Sequence, residues 1–269
     1  MLKLVAEHDF SFTAKSRKLK LFLAPEVQVL PARHETRPFS AAAHRALRAC
    51  LCAGACLVLA TPSHTAAAQA PAPRFVVVLD AAHGGDDAGG RLANGQPEKA
   101  LTLALSVRLR SLLAARGIQV ITTREADAAI DLDRRAEIAN RANAQACLSI
   151  HASDVGSGVH LFVSSLPPAP PGRFVAWKTA QAAWVTRSLA LAGVLNSALL
   201  RAGMNVTLGR TSLLAVDSMA CPALAVEIAP ERTPDHKTTA ALDNPEYQAR
   251  VAGVLAAAML EWRSEAQRP

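Results

Sequence analysis

Apolar positions recur along the chain with two different periods. Short continuous apolar runs at 75–80 (FVVVLD), 147–151 (CLSIH) and 223–228 (ALAVEI) predict strands buried on both faces. Runs at 118–123 (IQVITT) and 158–164 (GVHLFVS) predict two more strands. Between them the spacing lengthens to that of a helix. Leu101, Leu105, Leu109, Leu112 and Leu113 fall on one face of a helix predicted over 98–116, which Gly117 closes. A second helix is predicted over 132–144 with Ala136 and Ala139 inward. The stretch 174–202 is helix-rich, and a closing helix is predicted over 245–262. Strands alternating with helices of this length require βαβ crossovers. The expected fold class is α/β: a single three-layer domain, with a mostly parallel sheet and helices on both faces.

Composition narrows the picture. The chain has 269 residues, 51% hydrophobic and 19% charged, too apolar for a disordered chain. No apolar stretch reaches the roughly 18–20 residues of a spanning helix, so no integral membrane span is expected. The formal net charge of +7 is uneven. Residues 1–70 hold 9 Lys/Arg against 4 Asp/Glu, and residues 71–269 hold 20 against 18. With the excess confined to the first quarter, and with no aromatic-basic array, nucleic acid is not an expected partner.

That first quarter reads as an address. Arg45 and Arg48 precede the apolar run 49–60 (ACLCAGACLVLA), and small residues follow, with Ala68-Gln69-Ala70 as a cleavage site. Residues 1–40 exceed an ordinary n-region. Residues 1–70 are therefore expected to be a signal peptide with an unusually long N-terminal extension, and 71–269 the exported domain. Of the five cysteines, only Cys147 and Cys221 lie in the mature part. They read as small core residues, and the sequence leaves open whether they pair.

Candidate chemistry collects at strand ends, where open α/β sheets bind ligands. His83 follows the first strand, His151 ends the third, and Glu227 lies near the end of 223–228. Glu98 opens the helix after a Gly-rich loop. Two histidines and a carboxylate suit a three-ligand zinc site with one open position, and a second carboxylate suits a general base. An isolated Glu98 would equally favour the positive end of its helix. Glu227 is the more informative, because a carboxylate in an apolar strand needs a partner or a function.

The motifs around these residues carry a resemblance. Leu79-Asp80-Ala81-Ala82-His83-Gly84-Gly85 is followed by Gly95-Gln96-Pro97-Glu98-Lys99-Ala100-Leu101-Thr102-Leu103. A G-x-x-V-x-x-T-R pattern spans 117–124, and Leu132, Arg135, Ala139 and Asn140 fit L-x-x-R-x-x-x-A-N. Ser149-Ile150-His151-Ala152 and Pro222, Ala223, Val226 and Glu227 complete the order. The chain resembles the zinc-dependent N-acetylmuramoyl-L-alanine amidase catalytic domain, the amidase-3 family of bacterial cell-wall hydrolases. The resemblance implies one Zn2+ per chain on His83, Glu98 and His151, with Glu227 as the catalytic carboxylate. It implies hydrolysis of the amide between N-acetylmuramic acid and L-alanine in peptidoglycan, in the periplasm or cell wall, by a monomer under the control of an activator protein. Two other readings stay open: a catalytically silent peptidoglycan-binding protein, and a zinc amidase for free muropeptides.

The chain departs from the family pattern at three places. Ala82 replaces a glycine, Ser153 stands where Asn or Asp is usual, and Ile228-Ala229-Pro230-Glu231 follows Glu227. Arg210, Ser153 and Asn140 are candidate substrate contacts. Arg124, Arg134 and Arg135 read as surface residues or contacts to peptide carboxylates. The insert 167–186, with Trp177 and Trp184 seven residues apart, reads either as an element that blocks the site or as an ordinary packed helix.

Overall fold

A computed structural model describes residues 74–170 and 172–267. The chain divides into Met1–Ala66 and Ala67–Pro269, and all the described residues fall in the second unit. The expected signal segment lies outside the described residues.

Six strands form the main sheet: β1 (Val76–Ala81), β2 (Gln119–Thr122), β3 (Ala146–Ala152), β4 (Val159–Ser164), β5 (Val206–Thr211) and β6 (Ala223–Ile228). Their order is β2-β1-β3-β6-β4-β5. The pairs β1–β2, β1–β3, β3–β6 and β4–β5 are parallel, and β4–β6 is antiparallel. The reversal follows from the connection between β3 and β4. A parallel return needs a crossover of about a dozen residues, and the loop 153–158 is too short for one. Glu231–Arg232 (β7) and Thr238–Ala240 (β8) form a separate small ribbon.

Helices α1 (Glu98–Ala114), α3 (Val185–Arg201) and α5 (Pro245–Ala266) cover one face of the sheet, and α2 (Leu132–Arg141) and the short α4 (Leu214–Asp217) cover the other. The leucine stripe predicted for α1 is the buried face: Leu101, Leu105, Leu109 and Leu113 are each at most 5% exposed. Asp131 caps α2 by accepting from the Arg134 N–H at 2.7 Å, and Asn244 caps α5 by accepting from Glu246 and Tyr247. The Tyr247 hydroxyl donates to the Ala229 carbonyl at 2.7 Å, and the Trp262 indole to that of Gln145 at 2.8 Å. These two bonds fasten α5 near opposite ends of the sheet.

Several elements differ from expectation. β5, α4 and the β7–β8 ribbon are absent from the periodicity, because each is short or exposed on at least one side. α2 ends at Arg141 rather than 144, with Asn143 left-handed (φ 48°) just beyond it. Cys147 and Cys221 are both fully buried, and they are joined by a disulfide with their Cα atoms 6.4 Å apart. The register places Cys147 opposite Ala223, where its N–H donates to the Pro222 carbonyl, so Cys221 arrives within bonding reach.

No single helix among the described residues is long and apolar enough to cross a membrane.

Candidate metal centre

The carboxyl ends of β1 and β3 and the start of α1 meet at one place. There one ligand atom from each of His83, Glu98 and His151 lies within 4.8 Å of the others. His83 Nε2 is 3.1 Å from Glu98 Oε2, and His151 Nδ1 is 3.1 Å from Glu98 Oε1. Zinc–ligand bonds of about 2.0–2.2 Å in a tetrahedron separate donors by a little over 3 Å, so this set has the right chemistry and spacing for a metal ion.

The surrounding backbone is arranged to make this convergence possible. His83 itself adopts a left-handed conformation (φ 63°), uncommon for a residue with a side chain. Ala82, which replaces the glycine of the family pattern, is not a positive-φ residue, so its methyl group causes no strain. The glycine that the site does require is Gly89 (φ 67°). A Cβ there would lie 2.6 Å from the His83 ring and 2.8 Å from Glu98 Oε2.

Glu98 is 6% exposed. Its Oε2 accepts from the Gly90 N–H at 2.9 Å and its Oε1 from that of Ala152 at 3.1 Å. Burial works against its charge, yet the two imidazoles and the Gly90 N–H outweigh burial and hold it well below the usual carboxylate range. The balance at His83 is similar. Burial disfavours its charged form, but Glu98 and Asp87 raise its pKa above the ordinary value. Asp87 Oδ2 lies 2.8 Å from His83 Nδ1, leaving Nε2 directed at Glu98. A carboxylate behind a ligating histidine fixes tautomer and ring orientation. Asp87 escaped the sequence reading, although its place four residues after His83 in a glycine-rich loop was the available signal.

Glu227 is half-buried on β6, directly opposite His151 in the parallel register, and so on the same face of the sheet. The antiparallel register sets His160 of β4 opposite it on its other side. Sheet neighbours of this kind have Cβ atoms about 4.5–5.5 Å apart. Glu227 thus stands beside the cluster with an imidazole on each flank. Burial pushes the pKa of His160 down; its Nδ1 lies 2.5 Å from Thr207 Oγ1, and its Nε2 has no hydrogen-bond partner among the described residues.

The remaining candidates separate by location. Ser153 follows β3 at the cluster end; its N–H donates to the Ile228 carbonyl and its hydroxyl accepts from the Val155 N–H. Asn140 sits at the other end, where it donates to the Ser218 carbonyl at 3.0 Å and accepts from the Ala220 N–H at 2.6 Å. Arg210 is also remote. It pairs with Val163 in register, and its guanidinium donates to the carbonyls of Ser164 and Leu166, beyond the far end of β4. The structure therefore brings neither Asn140 nor Arg210 to the cluster.

Arg134 is on the surface with Glu137, whereas Arg124 and Arg135 are 4% and 3% exposed. In the insert, a 3-10 turn at Trp177–Ala183 breaks at Thr179, so Trp177 and Trp184 do not share one α-helical face. Gln181 is fully buried and donates to the carbonyls of Met219 and Cys221, at the entry to β6 and away from the cluster.

The fold and this cluster define an α/β protein with a His-Glu-His set able to hold a metal ion, gathered beside the carboxyl ends of parallel strands. The comparison with known families gives the particular one. Residues 77–261 match the sequence model for N-acetylmuramoyl-L-alanine amidase, and the chain belongs to that family. It is 46% identical over 77 residues to the N-acetylmuramoyl-L-alanine amidase AmiA of Escherichia coli (strain K12), covering 29% of this chain and 27% of that protein. It is 35% identical over 82 residues to the sporulation-specific N-acetylmuramoyl-L-alanine amidase of Bacillus subtilis, covering 30% and 32%. The matched stretch thus spans less than a third of either relative's length. Among solved structures, the amidase AmiC2 of Nostoc punctiforme superposes with a TM-score of 0.54 at 25% identity, covering 71% of this chain and 97% of that one. Ami1 of Mycobacterium smegmatis gives 0.58 at 24% identity over the same shares, a likeness of fold.

Proposed function

We propose that this protein is an exported zinc-dependent amidase that hydrolyses the bond between N-acetylmuramic acid and L-alanine in peptidoglycan. The observation that carries the reading is the convergence of His83, Glu98 and His151, with Glu227 next to His151 in the sheet. In this reading those three residues hold one zinc ion. When bound, zinc supplies Lewis acidity, which polarises an amide carbonyl and lets water lose a proton near neutral pH.

The protein's own residues do the rest. Glu98 would bring the negative charge that offsets the dication, and Asp87 holds His83 Nδ1 so that Nε2 stays turned toward Glu98. Glu227 takes the proton of the attacking water and passes it to the departing L-alanine nitrogen, so the C–N bond breaks with a neutral amine leaving. Ser153, two residues beyond His151, serves as a substrate contact in this reading. Export by residues 1–70, action in the periplasm or cell wall as a monomer, and an activator protein belong to the same reading.

The test is incubation of the purified chain with zinc on isolated peptidoglycan, followed by mass spectrometry. Stem peptides with a free L-alanine amine, abolished in Glu227→Gln, are the expected outcome. Intact peptidoglycan despite stoichiometrically bound zinc, with no release above background when a cell-envelope extract is added as a source of the activator, would reject the substrate assignment.

A further inference from the structure

Two arginines that read as surface or substrate-binding residues lie instead beneath the metal centre. Three successive carbonyls lead into it, those of Ala81, Ala82 and His83. Each accepts from a buried guanidinium. Arg124 Nε and Arg135 Nη1 donate to Ala81 at 2.9 and 2.6 Å. Arg124 Nη2 donates to Ala82 at 3.0 Å, joined there by the Thr102 hydroxyl at 2.9 Å. Arg135 Nη2 donates to His83 at 2.6 Å.

Both forks are anchored from below. Arg135 Nη1 also pairs with Asp80 Oδ1 at 2.6 Å, and Asp80 is itself 1% exposed and receives the hydroxyls of Thr123 and Ser149. Arg124 Nη2 reaches the Lys99 carbonyl at 2.8 Å, one residue after Glu98. A single network thus spans the left-handed His83 and the start of the helix that carries Glu98.

We propose that Arg124 and Arg135 are positioning residues for the metal centre. They hold the backbone of residues 81–83 in the conformation that aims His83 at Glu98, and they do not touch substrate. The physical reason is geometric. A carbonyl run that turns into a left-handed residue next to a buried site needs donors from several directions, and a planar five-donor fork supplies them where a lysine ammonium cannot. Two buried guanidiniums would be costly for a surface-type role, and burial does push the Arg124 pKa down. Their place under the loop accounts for that cost.

The inference rests on the proposed metal role of His83, so the test reads metal binding rather than catalysis. Zinc affinity is measured on the full chain by competition with a chromophoric chelator, alongside the visible spectrum of the cobalt(II)-substituted protein. Arg135→Gln is expected to weaken zinc binding by about 10–100-fold, in keeping with other residues that orient ligands, and to shift the cobalt bands. Arg135→Lys is expected to fall between that variant and the parent chain. Arg134→Gln, one residue away on the surface, is expected to change neither. At saturating zinc, KM for peptidoglycan is expected to stay constant in both Arg135 variants.

Parental zinc affinity in folded Arg135→Gln overturns the inference. Should that variant not fold, Arg124→Lys keeps the charge but loses the fork that serves the Ala81 and Ala82 carbonyls, and parental zinc affinity there overturns it equally. A parent chain that binds no zinc defeats both this inference and the proposed function. A chain that binds zinc, loses affinity in Arg135→Gln and cleaves no peptidoglycan even with the envelope extract upholds the inference and rejects the function alone.

Discussion

The two ends of the sheet use similar residues in opposite ways. At the carboxyl ends of β1, β3 and β6, polar side chains converge on one another: His83, Glu98 and His151 form a cluster and Glu227 flanks it. At the opposite end, Asn140, Gln181, Arg210 and the Cys147–Cys221 disulfide are engaged with nearby backbone or with each other. An amide or a guanidinium that completes its hydrogen bonds within the fold is a fastener. The cluster end is where chemically competent groups face a common point, because parallel strands deliver their loops there together.

This contrast can be tested from its strongest consequence downward. Glu227→Gln is expected to lower kcat/KM on peptidoglycan by about 10²–10⁴-fold, while bound zinc and the melting temperature hold steady. A stable variant with parental rates would remove Glu227 from the reaction. Glu98→Gln replaces the charged ligand, and equilibrium dialysis should then find zinc lost at concentrations that saturate the parent. Chelation of the parent chain should likewise lower the melting temperature, and added zinc should restore it.

The far end predicts the reverse pattern. Cys147→Ala with Cys221→Ala opens a crosslink between residues 74 apart in sequence, which chain entropy puts at about 4 kcal/mol. Urea denaturation should show that loss while turnover per folded molecule is kept. Asn140→Ala should cost about 0.5–1.5 kcal/mol by removing its bonds to the Ser218 carbonyl and the Ala220 N–H, again with kcat and KM unaltered.

The smallest effect concerns pH. Burial sets the folded pKa of His160 below its ordinary 6.5, so the unfolded chain takes up this proton first as pH falls. The stability tied to this group is complete above about 6.5 and is lost as pH drops toward the folded value. His160→Gln should therefore flatten the acid side of the stability profile between pH 7.5 and 5.5, measured by urea midpoints. An unchanged slope would mean that His160 titrates alike in both states.

How much of this was legible depended on how each residue makes its contacts. Runs such as FVVVLD and ALAVEI announce buried strands because both of their faces meet apolar neighbours, and the polar residue at the end of each marks the functional edge. β5 was illegible for the opposite reason: it is an edge strand with half its positions exposed and a glycine in the middle, so no alternation survives. Arg124 and Arg135 misled because arginine is seldom buried without a partner. The clue was Asp80, a carboxylate in an apolar strand that must pair with something, and sequence spacing alone does not say with what.

The sequence by itself determined the types of the longer elements, the α/β class, the family resemblance and the four residues on which the proposed chemistry rests. These depend on local periodicity and on motifs read in order. The tertiary structure decided which of those residues meet and which chemically similar ones do not. Strand register set Glu227 between His151 and His160, the short loop after β3 reversed β4 and carried Arg210 to the far end, and long-range pairing put two guanidiniums under His83. Such contacts join residues dozens of positions apart, and they exist only once the sheet has chosen its order.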